Sequence, residues 1–374
     1  MTNNKDKKVL NVPNLRFPEF TEEWERCSLG HVTDFVKERI STDKLTLANY
    51  VSTENMKSDF GGINPAISIP NNTNVIHYKK GDVLLSNIRP YLRKVWAANS
   101  DGGCSTDVFV FRAKSISPSF LHYIMANDTF INYVMSGAKG VKMPRGDKEQ
   151  MLKYVFSIPR IEEQYKISRL LHLLDDRIAT QNKIIEDLKK LKSAISERFF
   201  TSINGDVVTL ADICDIVKGK QVNGEFLTDS GNYYVMNGGI EPSGYYDDYN
   251  TEANTISISE GGNSCGYVQF NTTPFWSGGH CYTIQNITNN VEKLYLYHYL
   301  KCNEDTIMKL RIGSGLPNIQ KKDLAKFRVI VPIIEQQKTI SAFLSLLERK
   351  VQVETDILIA VQSEKQYLLR QMFI

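Results

Sequence analysis

The run Asn87-Ile88-Arg89-Pro90-Tyr91-Leu92-Arg93-Lys94 interleaves cations and an aromatic directly after an apolar stretch that reads as a strand. Arginine forks onto O6 and N7 of guanine and asparagine onto N6 and N7 of adenine, so these residue types can read base edges. The same run also suits a solvated hairpin edge. A basic loop at 139–148, KGVKMPRGDK, places Lys139, Lys142, Arg145 and Lys148 around two glycines. Its counterpart at 311–322 offers Arg311, Ser314, Asn318, Gln320, Lys321 and Lys322. A polar, basic loop at the same place in two halves of a chain favours contact with DNA. Lys37, Arg39, Lys218 and Lys220 are candidate phosphate clamps, with solvation at strand ends as the other reading. Asn237 and Tyr245 lie in glycine-rich turns that can line a second site, although a tyrosine there also suits a core or sheet surface.

No residue pattern supports catalysis. An adenine methyltransferase needs an Asn/Asp-Pro-Pro-aromatic motif, which Asn64-Pro65-Ala66 does not supply. Gly261-Gly262-Asn263-Ser264-Cys265-Gly266 lacks the Lys-Ser/Thr of a phosphate loop. His280, Cys281, Cys265 and His298 do not have metal-ligand spacing, so no metal is expected. Six scattered cysteines without a C-x-x-C pair point to unpaired thiols in a reduced, cytoplasmic setting. The polar start MTNNKDKK has no signal-peptide core, and no apolar run approaches a membrane span.

The elements that must position these residues come in duplicate. Pro159–Phe200 and Pro332–Phe373 align without a gap at an offset of 173 residues, Glu162 on Glu335, Gln164 on Gln337 and Lys192 on Lys365 among them. Such a repeat predicts a chain of two similar halves. In each copy a proline and an acidic turn precede an apolar stripe with alternating steps of four and three, the seam of a coiled coil. The first stripe runs through Ile167, Leu171, Leu174, Ile178, Gln181, Ile185, Leu188 and Lys192. The second runs through Ile340, Leu344, Leu347, Val351, Glu354, Leu358 and on to Lys365. Leu170, Leu173, Ile184 and Leu191 widen the first stripe towards its globular neighbours.

The segments before the helices contain short apolar runs such as Val108–Phe111 and Thr255–Ile258, broken by turns, which predict α/β (α+β) domains with mixed sheets. The expected division is a domain at 1–158, a helix at 159–203, a second domain at 204–331 and a second helix at 332–374. Ser28-Leu29-Gly30 with Asp34–Lys37 matches Thr209-Leu210-Ala211 with Asp215–Lys218, while the interiors diverge. Net charge is +3 for the chain, with 1–158 basic at +5 and 204–331 acidic at −4. The acidic balance of 204–331 argues against nucleic acid there, but its bases cluster late, from Lys309 to Arg328, and a local patch suffices for phosphates.

Taken together, the chain resembles a type I restriction–modification specificity (S) subunit along essentially its whole length. The resemblance rests on the alternation of variable domain and repeated helix, on the opening Pro13–Phe20 with Trp24, on Gly81–Ser86 with Ile88-Arg89-Pro90, and on the two Pro-x-x-Glu-x-Gln helix entries. It implies two target-recognition domains, each reading half of a bipartite target in double-stranded DNA. It also implies two methyltransferase (M) subunits docked on the helices, carrying the S-adenosylmethionine, and restriction (R) subunits in the full complex. An enzyme and a coiled-coil scaffold that binds no nucleic acid are the other readings.

The polar residues in the seams predict the pairing of the helices. An antiparallel pair about a pseudo-twofold can set Lys192 opposite Glu354 and Gln181 opposite Lys365, with the crossing near residues 186 and 359, whereas a parallel pair would bring two lysines together. This predicts a coiled-coil strut that fixes the spacing of the two domains.

Overall fold

The computed structural model describes residues 10–313 and 317–374. The chain divides into two units, one comprising Met1–Thr180 with Leu358–Ile374 and the other Gln181–Ile357. Each is a mixture of helices and small sheets, as expected.

In unit 1, Thr33–Phe35, Val108–Ala113, Val83–Ser86 and Val95–Ala97 pair in that order, all antiparallel. The run Val83-Leu84-Leu85 is buried on both faces because alternate side chains serve different cores. Val83 and Leu85 pack with Phe120 and Leu121 of the helix Pro118–Met125, while Leu84 packs with Tyr78 and Cys104. A second sheet orders Arg39–Ser41, Asn74–Tyr78, Gly102–Cys104 and Tyr50–Val51, the last pair parallel.

Unit 2 repeats the first sheet with Asp215–Lys218, Cys281–Gln285, Thr255–Ser259 and Val268–Asn271. The registers coincide residue for residue: Val83 opposite Phe111 becomes Ile256 opposite Ile284, and Leu85 opposite Val95 becomes Ile258 opposite Val268. The offset of 173, visible in the sequence only from the glycine loops onward, therefore extends back to residue 83. The interiors that diverge in sequence share one backbone. A smaller sheet of Tyr245–Tyr246, Tyr233–Met236 and Trp276–Ser277 again has one parallel pair, with Ser277 standing 173 residues beyond Cys104 of the parallel pair in unit 1.

The long helices span Ile161–Ser202 and Ile334–Gln371. At 1.5 Å per residue each is about 60 Å long. Their repeated entry has a mechanical reason. The buried Gln164 side chain donates to Pro159 O (2.9 Å) and accepts from Ser117 N (2.8 Å). Gln337 does the same with Pro332 O (2.7 Å) and Glu292 N (2.8 Å), so in both units the glutamine ties the helix start to the domain.

The helix segments run antiparallel in unit 2, where Gln181 faces Glu354 and, further along the first helix, Lys192 faces Glu348. The expected register is corrected by about two to three turns, six positions at Lys192 and eleven at Gln181. Lys192 meets Glu348 at 2.8 Å rather than Glu354, and Gln181 donates to Glu354 O at 2.9 Å and to its carboxylate rather than meeting Lys365. In unit 1, Lys365 pairs with Asp175. The expectation paired only the polar residues inside the seams. The acids beside the seams, Asp175 and Glu348, hold the lysines instead, each with a domain tyrosine donating to it, Tyr123 at 2.8 Å and Tyr297 at 3.1 Å. Burial works against ionising Glu348, but Lys192 and Tyr297 hold its carboxyl below the usual range. Lys365 is the repeat image of Lys192 and Asp175 of Glu348, so one triad recurs in each unit.

The stripe residues divide their contacts. Ile167 and Leu171 enter the unit 1 core with Trp24, Leu29 and Met151, and Ile340 and Leu344 enter the unit 2 core. Ile185 is buried, while Leu174, Ile178, Leu188, Leu347, Val351 and Leu358 are half-buried along the helices. Of the widening positions, Leu170 packs on the unit 1 core, but Leu173, Ile184 and Leu191 are exposed, lying between the first turns and the last, where Ile195, Phe199 and Phe200 meet the unit 2 core. All six cysteines are unpaired. No helix among the described residues is long and apolar enough to cross a membrane.

Candidate nucleic-acid interface

In unit 1 the strand Val83–Ser86 ends on Asn87, whose N–H donates to Asp107 O (2.8 Å) and whose carbonyl accepts from Gly146 N (3.1 Å). Two residues on, Arg89 N donates to Pro144 O at 2.8 Å. Lys139 and Arg145 exchange backbone hydrogen bonds of 2.9 Å each and close the basic loop into a hairpin, with Gly140 left-handed (φ 96°) at its turn. Arg145 Nη1 reaches Asp107 Oδ1 at 3.0 Å. The two candidate runs, separate in sequence, thus form one hydrogen-bonded cluster of Asn87, Arg89, Lys139 and Arg145.

Unit 2 builds the same cluster from different side chains. Thr255–Ser259 ends on Glu260, whose N–H donates to His280 O (2.9 Å) and whose carbonyl accepts from Ile319 N (2.8 Å). Gly262 N donates to Pro317 O at 3.0 Å, and Ile312 exchanges backbone bonds with Asn318. Every partner lies 173 residues beyond its counterpart. Asn87 corresponds to Glu260, Asp107 to His280, Arg89 to Gly262 and Arg145 to Asn318.

Both central side chains are buried, Asn87 at 9% exposure and Glu260 at 6%, and each keeps one oxygen, Asn87 Oδ1 and Glu260 Oε2, buried without a hydrogen-bond partner among the described residues. An unpaired buried acceptor costs about 1–3 kcal/mol, and here it recurs at one place in both units. Glu260 Oε1 accepts from Lys218 Nζ (2.6 Å) and Tyr282 OH (3.1 Å), and His280 Nδ1 stands 3.5 Å from Oε2. Burial, with Glu260 beside it, pushes the Tyr282 hydroxyl well above the usual range, so it stays a donor. Asn237 joins this cluster by accepting from His280 N at 3.1 Å.

The backbone adds a second sign. Arg89 (φ 51°) is left-handed where unit 2 has Gly262 (φ 77°), and Arg93 (φ 55°) where unit 2 has Gly266 (φ 91°). A side chain in this region is costly and persists where it has a task. Arg93 has a structural one, pairing with Asp128 (3.1 Å) and Asp59 (3.6 Å). The Arg89 side chain is exposed and makes no hydrogen bond or ion pair among the described residues.

Other candidates are divided between surface and scaffold. Lys94 donates to Thr53 O (2.6 Å), Arg39 to Asn74 O (3.1 Å), and Lys148 lies over the Phe35 ring (4.2 Å), so these cations brace the fold. Lys139 pairs with Asp147, whose carboxyl it holds below the usual range, and Asp147 in turn caps the helix Lys148–Leu152. Lys37, Tyr91, Lys142, Lys220, Arg311, Lys321 and Lys322 are exposed. Lys321 and Lys322 open the helix Lys321–Ala325, before which Gln320 is half-buried. Tyr245 is half-buried in the small sheet opposite Tyr234, away from the Glu260 cluster's hydrogen bonds. Ser314 lies outside the described residues.

The profile of the type I restriction modification DNA specificity domain matches residues 21–190 and again residues 204–363. The chain belongs to this family. It is 32% identical over 154 residues to a protein named as a type I specificity subunit in Mycoplasma pneumoniae, a match covering 41% of each chain. It spans about two fifths of the length of this relative and of its Mycoplasma genitalium counterpart. The MjaVIII specificity subunit of Methanocaldococcus jannaschii matches at 21% identity over 94% of this chain and 91% of its own. The crystal structure of a type I S subunit from M. genitalium shares the fold at a TM-score of 0.71 and 18% identity, over 97% of this chain and 99% of that one.

The residue patterns gave no sign of Glu260, His280 and Asp107 as members of these clusters. An acidic or histidine residue alone in a loop carries no signal of DNA contact. The signal was the offset: adding 173 to Asn87 lands on Glu260.

Proposed function

We propose that each unit reads one half of a bipartite, asymmetric DNA target through its cluster, centred on Asn87 in one and Glu260 in the other, and that residues 1–158 and 204–331 are the two target-recognition domains. The observation that carries this reading is one hydrogen-bonded frame in both units presenting different polar side chains. A shared frame supports the same task, and different side chains support different bases, since phosphates set register while base edges specify sequence. Arg89, Arg145, Lys218 and Asn318 are the candidate base readers. Lys37, Lys142, Lys220, Arg311, Lys321 and Lys322 are candidate phosphate contacts.

In this reading the helix pair sets the spacer between half-sites and docks two M subunits, which carry S-adenosylmethionine, and R subunits complete the assembly in the cytoplasm. Exposed Leu173, Ile184, Leu191, Leu346 and Ile359 on the long helices are in keeping with a docking surface. The chain itself is non-catalytic. The test is to replace residues 14–157 by the matching domain of a relative and to map methylated adenines in cells that also express the M subunit. One half of the motif changes and the other stays; a joint change of both halves would refute two independent readers.

A further inference from the structure

Lys37 and Lys218 occupy matching places in the two units, Lys37 two residues beyond the strand Thr33–Phe35 and Lys218 the last residue of Asp215–Lys218, each strand flanking the central pair. Their surroundings differ. Lys218 Nζ is held at 2.6 Å by the buried Glu260 carboxylate, although the lysine side chain is 52% exposed. The Lys37 ammonium is exposed and makes no ion pair among the described residues, because the position equivalent to Glu260 is the neutral Asn87.

We propose that Glu260 is a positioning residue for specificity, which fixes Lys218 as the reader of a guanine in the half-site of unit 2. This rests on the reading of the two units as half-site readers. A free lysine is a mobile point charge suited to phosphate. Held by a carboxylate, its ammonium keeps two of its three donors for another partner and points them in a set direction. Guanine offers two adjacent acceptors, O6 and N7, on its major-groove edge, which a directed ammonium can span. Adenine, thymine and cytosine each lack that pair. The anchor is itself fixed: Glu260 N–H donates to His280 O, its carbonyl accepts from Ile319 N, and His280 Nδ1 stands 3.5 Å from its second carboxylate oxygen.

The experiment uses the full chain with its M subunits and reads the methylated motif and the relative methylation of single-base variants of each half-site. Glu260→Gln keeps the shape of the side chain and an acceptor for Tyr282 but removes the negative charge that holds the Lys218 ammonium. Discrimination at one guanine position in one half falls about tenfold or more, and the other half, read by unit 1 in the same molecule, is unchanged. Lys218→Gln, at an exposed position that leaves the core intact, relaxes the same guanine. Asn87→Glu, the converse change, recruits Lys37 and alters the motif in the opposite half. An unchanged motif, a uniform loss across all sequences, or a relaxed position that is not guanine overturns the proposal. A wild-type motif that is not bipartite overturns the half-site reading itself, a result distinct from a bipartite motif indifferent to Glu260.

Discussion

Unit 1 opens with an extended segment that unit 2 lacks, and the difference shows in the first turns of the two long helices. Arg16 forks onto the Glu163 carboxylate at 2.7 Å through two nitrogens, and Glu163 is 1% exposed. The equivalent residue in unit 2 is the exposed Gln336, which needs no cation. Lys166 likewise pairs with Glu19 and lies over the Phe17 ring at 4.6 Å, where unit 2 has Thr339. Two copies of one helix entry thus have different electrostatic demands. At this helix entry a charge is buried only in the unit where an additional piece of chain neutralises it.

The largest effect should come from breaking that pair. Arg16→Ala leaves Glu163 buried and unpaired and is expected to cost about 3–5 kcal/mol, whereas Gln336→Ala in the other unit should fall within about 0.5 kcal/mol. Denaturant unfolding of the two variants checks this, and equal losses would mean the N-terminal segment does not stabilise unit 1. A double change, Arg16→Leu with Glu163→Gln, should recover most of the loss, since no charge is then stranded.

A smaller effect, with opposite signs for stability and function, is expected at the left-handed positions. Arg89→Gly relieves the strained backbone and should stabilise unit 1 by up to about 1 kcal/mol, while weakening discrimination at one base by about 1–3 kcal/mol. Gly262→Ala should destabilise unit 2 by about 1 kcal/mol through its φ alone, since an added Cβ meets nothing within 4 Å. Thermal melting with the methylation readout separates the two effects. A uniform loss of affinity from Arg89→Gly would move Arg89 to the phosphate class.

The smallest effect concerns Lys321 and Lys322. Alanine at either should weaken binding to all sequences alike and lower the slope of log K against log salt by about one unit for each phosphate no longer neutralised. A salt titration at fixed sequence reads this directly. A changed base preference would make these lysines readers.

The duplication, the two helices with their entries and the strand runs at 83–85 and 255–258 were legible because each depends on residues close together along the chain. Helix periodicity, proline and acidic starts, and apolar alternation are local properties. Half of the candidate cluster, Asn87, Arg89, Lys139 and Arg145, was legible for the same reason, as runs of base-reading residue types. Arg39, Lys94 and Lys148 were read as DNA contacts by type alone, and no local pattern showed the carbonyl and ring partners that the fold also gives them.

The amino-acid sequence by itself determined that this chain is two copies of one plan, because an ungapped repeat survives in local patterns whatever the packing. The tertiary structure decided which residues of the plan meet. Glu260 finds Lys218 across 42 positions of sequence and Gln181 finds Glu354 across 173. In the helix crossing, Asp175 and Glu348 take the lysines that the seam pattern assigned elsewhere. Register between distant segments depends on the sum of all their contacts, including tyrosines contributed by the domains. No local pattern encodes that sum.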